Sequence, residues 1–282
     1  MIEQLNKYKA EATAELESIL NYWIANTLDE SRGGFIGRIT HDHQKEPNAP
    51  RGSVLNSRIL WSFSAAFNHI REPEYLLMAR RAFDYFCQYF IDPEYGGVYW
   101  TITADGSPLD TKKQIYALSF AIYGLSEYYI ASGDESALET AVRLYHDIIT
   151  HSYDNRFGGY IEALGRDWRS MEDLRLSDKD ANARKSMNTH LHVLEGFANL
   201  YRIWPDEALK LKLKELVKLF LKHIISKDTY HLQLFFDDDW TPGSELVSYG
   251  HDVEAAWLIQ EAAAGLGDEL LFQEVKNCSV RI

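Results

Sequence analysis

Two stretches of the 282-residue sequence place imidazoles close to carboxylates. In RLSDKDANARKSMNTHLHVLEGFANLYRIW, residues Asn188, His192, Glu195 and Asn199 recur at i, i+4, i+7 and i+11, which is one face of a helix. Such a polar stripe ordinarily faces solvent, but Met187, Leu191, Val193, Leu194 and Phe197 leave little of this helix suited to water. His190 points away from His192 and reads as a structural hydrogen-bonding residue. In SYGHDVEAAWLIQEA, His251 and Glu254 stand three residues apart, ahead of Trp257. A carboxylate that fixes an imidazole's tautomer prepares it for proton transfer near neutral pH, and the same pair also suits a plain helix N-terminus. Arg58 lies in RGSVLNSRILWSFSAAF among Leu55, Ile59, Trp61 and Phe63. A cation there needs a partner, and reads either as a buried ion pair, as a snorkelling side chain or as the stabiliser of an oxyanion. Tyr116, in KKQIYALSFAIYGLSEYY, holds a similar place as a core or ligand-facing ring. No HExxH occurs, and Cys87 and Cys278 share no CxxC or Cys/His ligand spacing, so neither a metal nor a cofactor is expected.

The elements that must position these side chains come from an internal repeat. An amphipathic helix leads to an acidic Gly-Gly turn, then to a short aromatic or β-branched strand and a second helix. The turns read LDESRGGFIGRI, IDPEYGGVYWTI and YDNRFGGYIEAL, with first glycines at Gly33, Gly96 and Gly158, and KDTYHLQLFFDDDW from Lys227 is a degenerate fourth copy. Paired glycines suit backbone with positive φ, and the residues after them favour short hairpins. The spacing predicts helices near 53–70, 73–90, 110–131, 134–150, 184–203, 206–225 and 249–265. An earlier one carries Leu5, Tyr8, Ala12, Leu16, Ile19, Leu20 and Trp23 on one side. Pro73 and Pro205 suit first-turn positions, and Asp110 and Asp134 suit N-caps. Every second helix mixes polar with apolar residues, as an inner ring around a pocket would. At this repeat length the chain holds about four and a half helix-pair units.

Composition narrows the function classes. With 46% hydrophobic residues the chain is long enough for a substantial core, and its formal charge of −13 has no offsetting Lys/Arg cluster. Nucleic acid and membrane surfaces are therefore not expected partners. The N-terminus lacks an uninterrupted apolar run, which is the basis for expecting a cytoplasmic protein. Aromatics at 13% suit either sugar stacking or a large aromatic core.

SRILW in its helical context, RLSDKD followed by KSMNTHLHVLE, and GHDVEAAWL together resemble the cellobiose 2-epimerase branch of the N-acylglucosamine 2-epimerase family, over about Leu28 to Gly267. The resemblance implies an all-α (α/α)6-barrel toroid with short β-hairpins in its loops, occupying residues 1–282 as one domain. It implies metal-independent inversion at C2 of the reducing-end glucose of β-1,4-linked disaccharides. Arg58 would then stabilise an enediolate, His192 would assist ring opening, and His251 would exchange the C2 proton with support from Glu254. Tyr116, Asn188 and Trp257 would shape the pocket for this small carbohydrate. Family members continue to a late motif with a second catalytic histidine. The resemblance thus implies a barrel that stops before completion, with unburied flanks that invite self-association. A glycoside hydrolase using Glu195 and Glu254, or an inactive carbohydrate-binding protein of the same fold, are the alternatives.

Overall fold

A computed structural model describes residues 2–282. Helices alternate between an outer and an inner set. The outer set is α1 (Ile2–Thr27), α3 (Pro73–Tyr89), α5 (Glu135–His151), α7 (Glu207–Leu219, extended by a π-helical turn at Phe220–Ile224) and α9 (Glu269–Ser279). The inner set is α2 (Ser53–Ile70), α4 (Ile115–Ser132), α6 (Met187–Ile203) and α8 (Tyr249–Gly265), each packed on the next. Four helix pairs and a final outer helix result, as the repeat length predicts.

Each outer helix hands over to its inner partner through the acidic turn. The glycine pairs at 33–34, 96–97 and 158–159 all take positive φ, and bridges Leu28 to Phe35, Ile91 to Val98 and Tyr153 to Tyr160 close the turns. The degenerate fourth turn closes by the same bridge, Ile225 to Leu232, with Tyr230 accepting φ of 65° where the others have glycine. Two-residue strands stitch one unit to the next: β1 (Arg51–Gly52) pairs with β2 (Thr101–Ile102), β4 (Lys113–Gln114) with β5 (Ala163–Leu164), and β6 (Lys185–Ser186) with β7 (Phe235–Phe236). β3 (Pro108–Asp110) pairs with β2.

An ionic latch recurs in the first three units. The residue two places before each inner helix is a buried cation reaching back to its own turn. Arg51 donates to Asp29 Oδ2 (2.7 Å) and Gly33 O, Lys113 to Asp92 Oδ2 (2.9 Å) and Gly96 O, and Lys185 to Asp154 Oδ2 (2.7 Å) and Gly158 O. Burial alone would raise the Asp92 carboxyl, but hydrogen bonds from Arg166 and Lys113 outweigh it and hold Asp92 well below the usual carboxylate range. The fourth unit has Val247 in the cation's place and Ser226 in the aspartate's. There Asp252, from α8, accepts from Leu232 N (2.9 Å) and lies 2.8 Å from His231 Nδ1.

Close approach of the inner helices depends on two glycines in matching register. A Cβ at Gly124 would lie 2.6 Å from Ser57 O, and one at Gly196 would lie 2.7 Å from Ser119 O, so α4 seats directly on α2 and α6 on α4. The same position of α8 is Leu258.

Three sequence expectations need correction. Asp110 does not cap α4: it belongs to β3, and two further strand residues intervene before the helix starts after Gln114. Pro205 precedes the cap of α7, which is Asp206, accepting from Ala208 N and Leu209 N. On α1, Leu20 is buried, whereas Leu5, Tyr8 and Ile19 are exposed, because few other elements pack on that helix. Pro73 and Asp134 hold their expected helix-start positions. Among the described residues no helix is long and apolar enough to cross a membrane.

Candidate active site

The inner helices start in register, so equal positions along them face one another. At the second residue stand Val54, Tyr116, Asn188 and Gly250, and at the sixth Arg58, Phe120, His192 and Glu254. At the ninth are Trp61, Tyr123, Glu195 and Trp257, and at the thirteenth Ala65, Glu127, Asn199 and Glu261. The polar stripe on α6 is thus the α6 share of four layers lining the inner ring.

The contacts follow these layers. The Arg58 guanidinium lies over the Phe120 ring, 4.4 Å from its centroid, and that ring is 4.4 Å from the His192 imidazole. Tyr116 meets His192 edge-on at 4.9 Å. His192 is buried, and its Nδ1 is 2.8 Å from Glu195 Oε2. A carboxylate only accepts, so Nδ1 carries the proton toward Glu195 and leaves Nε2 as the basic nitrogen. Below, Trp61 and Tyr123 stack at 5.0 Å, and Asn199 Nδ2 donates to Glu127 Oε2 at 3.3 Å. Burial, partly offset by Arg58, raises the Tyr116 hydroxyl, which keeps it a hydrogen-bond donor.

Two cavities open along this ring. The larger, about 470 Å³, is walled by Trp61, Tyr123, Glu195, Asn199 and Trp257 among others. The other, about 140 Å³, lies at the N-terminal ends of α6 and α8, beneath the connection between β5 and β6, and is lined by Glu162, Arg175, Asn188, Ser248 and His251. Gln114 Nε2 and Lys112 Nζ pin that connection by donating to Arg175 O at 2.9 and 3.1 Å.

The structure brings Arg58, Tyr116 and His192 together and places Asn188 beside His251, with Trp257 half exposed on the wall of the larger cavity. It overturns two local readings. Arg58 is not buried and has no ion-pair partner among the described residues, but is exposed with its guanidinium on an aromatic ring, because its helix position faces the inner ring. The ring of His251 is held by Ser248 Oγ, 2.7 Å from Nδ1, rather than by Glu254, and the carboxylate-supported imidazole is His192. His190 is structural as expected: its Nδ1 donates to Ser186 O (2.7 Å) and its Nε2 accepts from Tyr160 N (2.9 Å). Burial pushes it down to about 4, which keeps it neutral.

Residue-by-residue reading missed Phe120, Trp61, Tyr123 and Glu162. Aligning the helix starts would have found the first three. Glu162 stands at the turn position that is Gly37 and Trp100 in the preceding repeats, so only its departure from the pattern marks it. No three His, Cys, Asp or Glu side chains among the described residues are placed to hold a metal ion.

Comparison with known proteins agrees with this architecture. The model of the N-acylglucosamine 2-epimerase (GlcNAc 2-epimerase) family matches residues 34–276. A cellobiose 2-epimerase of Bacteroides fragilis is 53% identical over 269 residues, covering 95% of this chain and 69% of that relative. The solved cellobiose 2-epimerase of Bacillus thermoamylovorans superposes with a TM-score of 0.90 at 34% identity, covering 96% of this chain and 71% of that one. The helices thus adopt the arrangement of the (α/α)6-barrel epimerases. A GH76 α-mannanase of Bacteroides thetaiotaomicron, 14% identical with a TM-score of 0.67, shares the fold alone.

Proposed function

Given that this chain belongs to the N-acylglucosamine 2-epimerase family of carbohydrate isomerases, we propose that it inverts C2 of the reducing-end glucose of β-1,4-linked disaccharides such as cellobiose. The observation that carries the reading is His192, buried, oriented by Glu195 and facing Tyr116, Phe120 and Arg58 across the inner ring.

The chemistry suits these groups. The C2 proton becomes acidic only once the ring opens and C1 is a carbonyl. His192 Nε2, with Nδ1 committed to Glu195, takes the anomeric hydroxyl proton and returns one to the ring oxygen. His251, steadied by Ser248, removes the C2 proton, and the electron pair moves into C1–C2 to leave an enediolate. Arg58, with no carboxylate partner among the described residues, is available to the oxyanion. Tyr116 and Asn188 orient the hydroxyls, and Trp257 and Trp61 offer stacking faces. Glu254, level with Arg58 and His192, faces the same space. Return of a proton to the opposite face of C2, by a second base or after rotation about C2–C3, gives the mannose configuration.

The test is incubation with cellobiose in D2O, followed by NMR, with His251→Ala as control. Deuterium at C2 together with glucosyl-mannose is expected from the wild type and neither from the variant. Cellobiose binding without any C2 exchange would sink the epimerase reading.

A further inference from the structure

Glu162 is a buried carboxylate that the reaction above leaves unused. Its backbone is fixed on both sides, with Glu162 N donating to Arg184 O (3.0 Å) and Ile115 N donating to Glu162 O (3.1 Å). Its side chain is 4% exposed and accepts from Ser186 Oγ and Thr189 Oγ1, each at 2.7 Å. These two hydroxyls bracket Asn188 in the first turn of α6. No Lys, Arg or His among the described residues pairs with the carboxylate, so the desolvation of its charge goes uncompensated by any cation. A neutral side chain would hold Ser186 and Thr189 at lower cost.

What the charge adds lies on its cavity side. An ionised carboxylate offers about four acceptor sites, and the two hydroxyls occupy two. Glu162 lines the smaller cavity with Asn188 and His251, and there Asn188 Oδ1 is buried without any hydrogen-bond partner. An unpartnered acceptor, Asn188 Oδ1, and a carboxylate with acceptor sites to spare therefore face one space beside the imidazole assigned to C2. A pair of vicinal hydroxyls supplies one donor to each.

Resting on the epimerase reading, we propose that Glu162 is a sugar-binding residue, accepting a hydrogen bond from a substrate hydroxyl next to the one held by Asn188. Burial, partly offset by the hydrogen bonds from Ser186 and Thr189, raises the Glu162 carboxyl to about 7, so the acceptor is lost as pH falls through that value. The other charged or titratable groups facing it are Asp180 and Arg175 of the β5–β6 connection, His251 of α8 and Tyr116 of α4.

The experiment measures cellobiose affinity by calorimetry for the wild type, Glu162→Gln and Ser186→Ala, between pH 5.5 and 8.5. Glu162→Gln is expected to weaken binding roughly tenfold or more, the loss of a hydrogen bond to a charged acceptor. It is also expected to abolish the weakening seen in the wild type below about pH 7, while melting no lower than wild type. Ser186→Ala, which leaves the acceptor in place, is expected to keep that pH dependence. Carboxyl carbon NMR of the wild type gives a readout that needs no variant: saturating cellobiose should shift the Glu162 titration to lower pH. Equal affinity in wild type and Glu162→Gln, or a titration that cellobiose leaves unmoved, overturns the proposal whether or not C2 exchanges. Binding that depends on Glu162 without C2 exchange supports it while sinking the epimerase reading, and a wild type that binds no cellobiose overturns both.

Discussion

Two groups buried against the first turn of α6 titrate in opposite senses, and their balance is a property of single residues. His190, lowered to about 4 in the folded chain, resists the proton that an unfolded histidine binds below about 6.5, so its contribution to stability is lost as pH falls across that interval. Glu162, raised to about 7, is protonated when folded and ionised when unfolded between about 4.5 and 7, so its contribution grows as pH falls. Between about pH 4.5 and 6.5 the two slopes cancel. Removing one should expose the other: relative to wild type, Glu162→Gln is expected to lose stability on acidification by about 1 kcal/mol per pH unit in that window. Urea unfolding at stepped pH reads the difference, and parallel curves would refute it. None of this balance was legible in the sequence, because both shifts come from burial that only the packed units create. The His192 stripe was legible in part, since its periodicity defined the face and put Glu195 on it, but the burial of His192 depended on α4 lying opposite.

At the scale of the element, boundaries were legible wherever a local signal was complete. Asp134 capped α5 as expected through its own side chain, whereas Asp110 failed because strand pairing, a non-local interaction, took the residues after it. The crossing of the inner helices was not read from sequence, although Gly124 and Gly196 lie in the same register and encode it. Gly196→Ala would drive a Cβ into Ser119 O, so α6 must move off α4, disturbing the Phe120 to His192 contact. A loss of about 1–3 kcal/mol is expected, with weakened sugar binding, by the cost of overpacking. Gly265→Ala, at the end of α8 with open space around it, is expected to be neutral or slightly stabilising in the same denaturation assay. If the two variants behave alike, the helix crossing does not rest on that glycine.

At the scale of the molecule, the repeat was the most legible feature, because three copies of a turn with glycines at fixed spacing survive in plain sequence. The smaller cavity was not, since it is assembled from a turn, a long connection and two helix starts far apart in the chain. The two ends of the helical array carry exposed apolar side chains: Leu5, Tyr8 and Ile19 on α1, Tyr249 and Val253 on α8, and Leu270 on α9. Patches of this kind favour association. Sedimentation velocity is expected to show concentration-dependent self-association, reduced by Leu5→Glu together with Val253→Glu; a monomer at all concentrations would refute it. The ionic latches carry a last consequence, for the order in which the molecule loosens. In three units a buried cation ties turn to helix, so both must open together, while in the fourth the tie runs from Asp252 of α8 to Leu232 N and to a partly exposed His231, with no buried cation among the described residues. Amide hydrogens of α8 and α9 should therefore exchange with solvent well before those of α2, α4 and α6, giving a chain that frays from one end while the remaining units keep their protection.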